Sequence, residues 1–284
     1  MRSVGRWLRT PLLSAAAFAA ALLAAQVSAD QAAPQTPARP AAPARTATPP
    51  RYAPPRLANG KPDLKGIWQV RNTANWNLQA HGGSYKTPAG LGVVVDPPDG
   101  SIPYRPEALV IKQKNWTGRE AEDPLEKCYL AGVPRTMYLP YPLQILQTET
   151  EVAILSEYVH TWRWIPLTPL DRYPGYESWM GDPRGRWDGD TLVVETVGHN
   201  DQTWFDHAGN FHSDALTVIE RLTRTAADVI TYEATMTDPK VFTRPWTIRM
   251  PLYLHRDMDR ILENECYIYA EEAGKPIRGQ HPNE

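Results

Sequence analysis

Residues 199–214 of this 284-residue chain read HNDQTWFDHAGNFHSD and concentrate side chains that can carry out acid–base chemistry. The segment holds three of the seven histidines in the chain, together with three aspartates and three aromatic residues. A solvated loop is normally poorer in aromatic residues, and a packed core does not normally contain unpaired aspartates. The composition therefore predicts the rim of a pocket, although an ordered connection with turn-capping aspartates would have the same composition.

Two chemistries are open to this segment. A histidine with a carboxylate partner can act as a general base, as His212 and Asp214 would do two positions apart on an extended strand, and Asp206 is another candidate carboxylate. Alternatively, His207, His212 and a carboxylate would ligate a metal. The chain has no HExxH motif, phosphate loop, nucleophile elbow or dinucleotide fingerprint, so we expect chemistry that needs neither a metal nor a cofactor.

A second candidate set lies in residues 152–165, whose composition predicts one β-strand. Alternation along that strand would place Tyr158, His160, Trp162 and Trp164 on one face. If this face lines a barrel, it offers a flat apolar surface and one group that exchanges a proton near neutral pH. The alternative is a packed core in which the histidine is simply hydrogen-bonded.

Two arginines and three further residues complete the predicted site. Arg163 and Arg184 would stabilise negative charge that develops on a ligand, although pairing with a carboxylate on a neighbouring strand is the more frequent role of such arginines. Trp179, Trp204 and His207 are predicted to contact the ligand along with the aromatic residues of the strand.

Short β-strands must position these groups. They are predicted at residues 66–70, 92–95, 143–147, 152–165, 216–223, 229–237, 246–254 and 261–269, with a hairpin over 186–195. Asp188 and Gly189 are predicted at the two central positions of that hairpin, because Asp-Gly adopts the positive φ angles of a tight turn. One helix is predicted over residues 106–116, with Pro106 at its first position. The pattern predicts a mainly β fold, an antiparallel barrel with one or two short helices.

The N-terminal residues predict export. Residues 1–29 combine early arginines, an apolar run and a terminal Val-Ser-Ala, which is typical of a secretory signal peptide. Residues 30–56 are rich in alanine and proline and predict a disordered tether, while residues 57–284 predict one domain. No later stretch is long and apolar enough to predict a membrane span, so the mature protein is expected to be periplasmic or secreted.

The net charge bears on the possible partners, and the cysteines bear on how the domain is cross-linked. Without the three signal-peptide arginines the formal net charge changes from −2 to −5, which argues against nucleic acid as a partner. Cys128 and Cys266 are the only cysteines, and export to an oxidising compartment predicts a disulfide between them. That bond would tie the middle of the domain to its last strand.

Three segments resemble a large family of exported bacterial proteins of unknown function. They are residues 94–104 (VVDPPDGSIPY), 179–196 (WMGDPRGRWDGDTLVVET) and 238–246 (DPKVFTRPW). The resemblance covers nearly the whole predicted domain and implies export and a single domain, but the family has no established activity or catalytic residues to transfer. Separately, Gly66-Ile67-Trp68 resembles the Gly-x-Trp start of lipocalins and other calycin barrels, which generally hold an apolar small molecule inside the barrel.

The sequence thus predicts a calycin-like barrel that binds an apolar or aromatic small molecule. We favour a cofactor-independent lyase, isomerase or hydratase in which His160 or His212 moves a proton and Asp206 or Asp214 orients the histidine. The alternative is a non-catalytic ligand carrier or an envelope interaction protein, in which the same residues are structural. Convergence of His160 with residues 199–214 around one cavity would favour the enzyme.

Overall fold

Alternating apolar side chains build ten β-strands, which join in one antiparallel sheet. The structure is a computed structural model that describes residues 52–274; the predicted signal peptide and most of the predicted tether lie outside these residues. The strands are β1 (Gly66–Val70), β2 (Val94–Asp96), β3 (Leu143–Gln147), β4 (Glu151–Ser156), β5 (Trp162–Pro166), β6 (Asp182–Asp188), β7 (Thr191–Val197), β8 (Thr217–Ala226), β9 (Val229–Thr237) and β10 (Trp246–Leu254). Two α-helices, α1 (Pro106–Glu122) and α2 (Cys266–Glu272), and two short 3-10 helices, Pro124–Lys127 and Arg135–Tyr138, complete the elements.

The sheet curls into a nearly closed barrel, which confirms the predicted fold class. Its strand order is β5-β4-β3-β1-β10-β9-β8-β7-β6, and β2 pairs with β10 outside this path. Among the described strands, β5 and β6 are the two ends of the path and share no hydrogen-bonded ladder. We call the gap between them the seam. At Gly185 of β6 an added Cβ would lie 2.8 Å from Cγ2 of Ile165 on β5, so the two strands pack closely there.

Side chains fill the barrel interior. In β9 alternate residues are buried, so that Ile230, Tyr232, Ala234 and Met236 all point into the core. Trp68 and Trp246, both fully buried, belong to the same apolar cluster. Burial of such large aromatic and aliphatic side chains is the main favourable contribution to folding. The core occupies the space where a calycin barrel would hold its ligand.

A buried ion pair crosses the seam inside the barrel. Arg163 of β5 donates to both carboxylate oxygens of Glu220 on β8, at 3.0 and 2.5 Å, and to the hydroxyl of Thr196 on β7, at 3.3 Å. The hydroxyl of Tyr232 donates to the same carboxylate at 2.8 Å. Burial works to lower the pKa of Arg163, but the charge and hydrogen bonds of Glu220 outweigh it and raise that pKa. The guanidinium of Arg163 therefore stays charged, and its bonds link β5 to β7 and β8 across the seam.

The prediction of one strand over residues 152–165 was wrong. The chain turns at residues 158–161, where the amide of Thr161 donates to the carbonyl of Tyr158 at 3.2 Å. Val159 and His160 occupy the central positions with φ angles of 44° and 52°. Positive φ at both positions defines a type I′ turn, for which Asn-Gly is the usual sequence. The sequence carries no such signal, and surrounding contacts impose the turn instead.

The aromatic face of β5 points away from the barrel interior, whereas the prediction placed it inside. Trp162 and Trp164 are 67% and 44% exposed, whereas Arg163 and Ile165 are buried in the barrel. The predicted alternation is therefore present over these four residues, but the interior receives the arginine and the isoleucine.

Three other predicted boundaries need correction. Residues 261–269 do not form a last strand; the chain there leads into helix α2. In the β6–β7 hairpin Asp188 pairs with Thr191, so Gly189 and Asp190, not Asp188 and Gly189, are the central residues. Only Gly189 has positive φ, at 58°, which fits a type II′ turn. The predicted helix is confirmed and continues to residue 122.

The predicted disulfide is present. Cys128 and Cys266 are bonded with their Cα atoms 5.6 Å apart, so the bond fastens the start of α2 to the segment that follows the first 3-10 helix. Arg56, the last residue of the predicted tether, lies 2.9 Å from Asp190 in an ion pair. Within residues 52–274, none of the helices has the length and apolar character needed to span a membrane.

Candidate functional site

A cleft of about 530 Å³ opens at the seam, and we call it the seam cleft. Its aromatic residues come from β5 and from the connection between β5 and β6: Trp162, Trp164, Tyr173, Tyr176 and Trp179. The ring of Tyr129 packs edge-on against Trp179 at a centroid distance of 5.0 Å and fixes its position. A concave site of this size, with mostly aromatic walls, suits a small apolar or aromatic molecule.

His160 lies on the lining of this cleft and has a carboxylate partner. Its Nε2 lies 2.8 Å from Oε1 of Glu265, and the two side chains are 50% and 44% exposed. If Nε2 carries the proton that Glu265 accepts, Nδ1 is left as the basic nitrogen of the ring. A histidine oriented in this way by a carboxylate can take a proton from a ligand and stabilise the charge it then carries.

Long-range contacts place Glu265 beside His160. The residue next to Glu265 is Cys266, which the disulfide holds in place. Upstream, the amide of Leu262 donates to the carboxylate of Glu157 at 2.9 Å, and Asn264 forms a β-bridge with Tyr158. The segment from residue 262 to residue 266 is therefore fastened along the strained turn that carries the histidine.

Arg184 lines the same cleft, but its donors are already used. It donates to the carbonyls of Leu170 and Asp171, each at 2.9 Å, and to the carboxylate of Asp182. These bonds hold the β5–β6 connection against β6. Arg184 therefore shapes the wall of the cleft more than it offers a free cation.

Arg163, Met180 and Gly181 are three lining residues of the seam cleft, and we call them the cleft floor. His199, fully buried, lies directly behind Gly181, where an added Cβ would be 2.8 Å from its Cε1. Burial first, and then the charges of His212 and Arg163, lower the pKa of His199 to about 3. The carbonyl of Thr196 acts in the opposite direction on this pKa, although neither ring nitrogen of His199 has a hydrogen-bond partner within residues 52–274. His199 is therefore neutral at physiological pH.

His212 does not line the seam cleft with His160. Its ring lies 5.9 Å from that of His199, and it is buried with both nitrogens bonded. Because a carbonyl only accepts, Nδ1 donates to Ser213 at 2.9 Å, and Nε2 then accepts from the hydroxyl of Thr203 at 2.6 Å. Burial lowers the pKa of His212. Asp214 is not its partner, since that carboxylate bonds Lys240.

Residues 199–214 thus lie largely inside the domain, and none of them lines the seam cleft. Asp206 is fully buried and accepts hydrogen bonds from the amide of Leu78 and the side chain of Asn210, at 2.8 and 2.6 Å. Burial raises the pKa of Asp206 to about 6 in spite of these bonds. Trp204 lines a separate cleft of about 810 Å³ beside α1.

His207 belongs to a third cluster. Its Nδ1 lies 2.9 Å from the buried carboxylate of Asp123, which also accepts two bonds from Arg135 at 2.7 and 2.8 Å. Burial works to raise the pKa of Asp123, but Arg135 and the hydrogen bonds lower it to about 2. The bond to Asp123 raises the pKa of His207. Tyr158 is also away from the seam cleft, in a cavity beside the disulfide.

The structure therefore gathers part of the predicted set in one place. Six predicted residues line the seam cleft: His160, Trp162, Arg163, Trp164, Trp179 and Arg184. The sequence analysis did not identify Glu265, although the predicted disulfide at the next position was a signal for it, and it included His199 only as the first residue of the segment 199–214. Across residues 52–274, no three histidine, cysteine or acidic side chains come together as a metal-binding group.

Comparison with known proteins gives no match, whether to a protein family, to a curated protein or to a solved structure. The resemblance to exported bacterial proteins and to calycin barrels accordingly stays a prediction.

Proposed function

We propose that this protein binds an aromatic or apolar small molecule in the seam cleft and transfers a proton on it through His160. The reaction class would be that of a cofactor-independent lyase, isomerase or hydratase. One observation supports this most: His160 and Glu265 form a 2.8 Å pair on the wall of an aromatic cleft of about 530 Å³.

The proposed step uses the free Nδ1 of His160 as the base. It removes a proton from the bound molecule or from water, and the carboxylate of Glu265 stabilises the imidazolium that forms. The same ring then returns the proton to another atom of the substrate or to the leaving group, so that no other proton donor is needed. Of the two arginines on the cleft, Arg163 has an Nε without a partner in residues 52–274, so it is the one to stabilise negative charge on the substrate.

The backbone around the histidine supports a functional role. Val159 is β-branched and adopts a φ of 44°, a conformation that such residues rarely occupy. Strain of this kind persists where the surrounding structure enforces it, and it is concentrated at functional sites. Here it aims His160 at both Glu265 and the cleft.

The disulfide supports export, because such bonds persist in oxidising compartments. We propose that the protein works in the periplasm or outside the cell, in keeping with the predicted signal peptide.

Exchange of substrate protons with solvent tests the proposal without knowledge of the natural substrate. 2-Acetonaphthone presents a flat aromatic system and exchangeable α-protons, and its deuterium uptake from D2O can be followed by mass spectrometry. We expect the protein to accelerate this uptake. In His160→Gln the acceleration should fall by a factor on the order of 10²–10⁴, because Gln keeps a hydrogen bond to Glu265 but is not a base.

Quenching of tryptophan fluorescence reports binding of the same ketone and separates the two candidate functions. His255→Gln is the matched control, since His255 bonds Gln69 away from the seam cleft, and it should exchange at the wild-type rate. Binding without accelerated exchange in the wild type would make the protein a carrier. Binding that is unchanged in Trp162→Ala would place the ligand elsewhere.

A further inference from the structure

Two buried side chains, one at the cleft floor and one directly behind it, have hydrogen-bonding capacity that no described residue uses. The unused atoms are Nε of Arg163 and both ring nitrogens of His199, none of which has a hydrogen-bond partner within residues 52–274. Both side chains are more than nine-tenths buried, at 3% and 0% exposure. Buried polar groups are nearly always paired, so unpaired ones concentrated at one place call for a functional explanation.

His199 lies against residues 178–181, a strip of chain that carries Met180 and Gly181 of the cleft floor. The amide of Ser178 donates to the carbonyl of Gly198, and the amide of Asn200 donates to the carbonyl of Ser178, both at 2.9 Å. At Gly181, on the same strip, the absence of a side chain is what lets the imidazole approach so closely. Met180 and Gly181 line the cleft next to this ring, and the side chain of Met180 is unbranched and readily changes conformation.

The unpaired donors at this point suit a hydrogen-bond acceptor. Arg163 and His199 are close enough for the guanidinium charge to disfavour protonation of the imidazole. The neutral ring still has one N–H to donate, and Arg163 has its free Nε–H. Glu220 and Thr196 occupy the Nη atoms of the buried guanidinium and leave its Nε free. This Nε–H and the N–H of His199 suit an acceptor that carries negative charge.

We propose that Arg163 and His199 bind the carboxylate of an aromatic ligand whose ring system fills the seam cleft. The proposal rests on the proposed function of that cleft and names its ligand class. One carboxylate oxygen accepts from Nε of Arg163 and the other from the N–H of His199, after the side chain of Met180 moves aside. The rings of the ligand pack against Trp162 and Trp179.

Calorimetric titration with two probes of the same shape tests this. 2-Naphthoate carries the carboxylate, and 2-naphthalenemethanol replaces it with a neutral hydroxymethyl group. We expect the wild type to bind the carboxylate about tenfold or more tightly than the alcohol, since hydrogen bonds to charged groups are roughly twice as strong as neutral ones. His199→Leu should lose most of this preference while it still binds the alcohol, and His199→Gln, which keeps a donor, should retain part of it.

His212→Leu is the control, because that ring is bonded to Thr203 and Ser213 and lies off the cleft. It should keep the wild-type preference for the carboxylate but unfold more easily in urea, since it leaves those partners unpaired. His199→Leu should instead be at least as stable as the wild type, because it removes two unpaired nitrogens. An unchanged preference in His199→Leu would overturn the carboxylate site alone. If the wild type binds neither probe, the proposed function of the cleft fails and the carboxylate site fails with it.

Discussion

The variant Glu220→Leu measures how much the buried ion pair across the seam contributes to the free energy of unfolding. Glu220 accepts hydrogen bonds from Arg163 across the seam and from Tyr232, and the side chains of the ion pair are each 1% exposed. Removing the carboxylate leaves a buried guanidinium without its counter-ion, which costs about 3–5 kcal/mol. It also leaves the Tyr232 hydroxyl unpaired, at about 1–3 kcal/mol. The expected loss of about 4–8 kcal/mol is comparable with the whole stability of a typical domain, about 5–15 kcal/mol.

Two further variants separate the contributions. Arg163→Met combined with Glu220→Leu removes the unpaired charge, so we expect it to recover about 3–5 kcal/mol relative to the single variant. Adding Tyr232→Phe removes the unpaired hydroxyl as well and should bring the stability close to that of the wild type. Urea unfolding followed by tryptophan fluorescence gives the free energies. Equal stabilities of the single and double variants, within about 1 kcal/mol, would refute the assignment of the loss to an unpaired buried charge.

Three other predictions follow from single features of the fold. Val159→Gly should stabilise the protein, and Gly189→Val should destabilise it, each by about 1–2 kcal/mol, because the two residues have positive φ; opposite signs in thermal melts would contradict the turn assignments. Replacing both Cys128 and Cys266 with serine should cost about 2–5 kcal/mol, and an unchanged Tm would show that the bond does not stabilise the fold. Because the pKa of His199 is lowered to about 3, its burial carries no ionisation penalty above pH 6.5, and it destabilises the fold progressively as the pH falls from 6.5 to 3. His199→Leu should therefore gain stability over the wild type as the pH falls from 7 to 4 in urea titrations, and a constant difference would contradict the lowered pKa.

The unbroken alternation of apolar and polar residues made much of the sheet predictable from the sequence. The strands predicted at residues 229–237 and 246–254 match β9 and β10 without a shift, since each has a continuous apolar face and polar turns at its ends. The turn after β4 was not predictable in this way, because Val159 and His160 have the composition of a strand and contacts from distant segments enforce the bend. Residues 261–269 failed for a related reason: aromatic and β-branched residues form strands only where a neighbouring strand receives them.

The candidate site was predictable only in part. The aromatic residues and the arginine of β5 could be named from the sequence because they are close together in the chain. Glu265, however, lies 105 positions from His160 and reaches it through a disulfide, so no local pattern could pair them. The burial of His199 depends on the strip that contains Gly181, and the identity of the residue alone gives no sign of it.

If the proposed function holds, the seam couples ligand binding to barrel closure. The last two strands of the sheet are held together by side chains and not by a backbone ladder, so this is where the barrel can open at the smallest loss of hydrogen bonds. A molecule in the cleft contacts β5 on one side and the approach to β6 on the other, and it can do so only while the two are together. By mass action such a molecule raises the free energy of opening by RT ln(1 + [L]/Kd), about 2.7 kcal/mol at a hundred times its Kd. Slower amide exchange in β5 and β6 would then report the occupant of the cleft even when its chemistry is unknown.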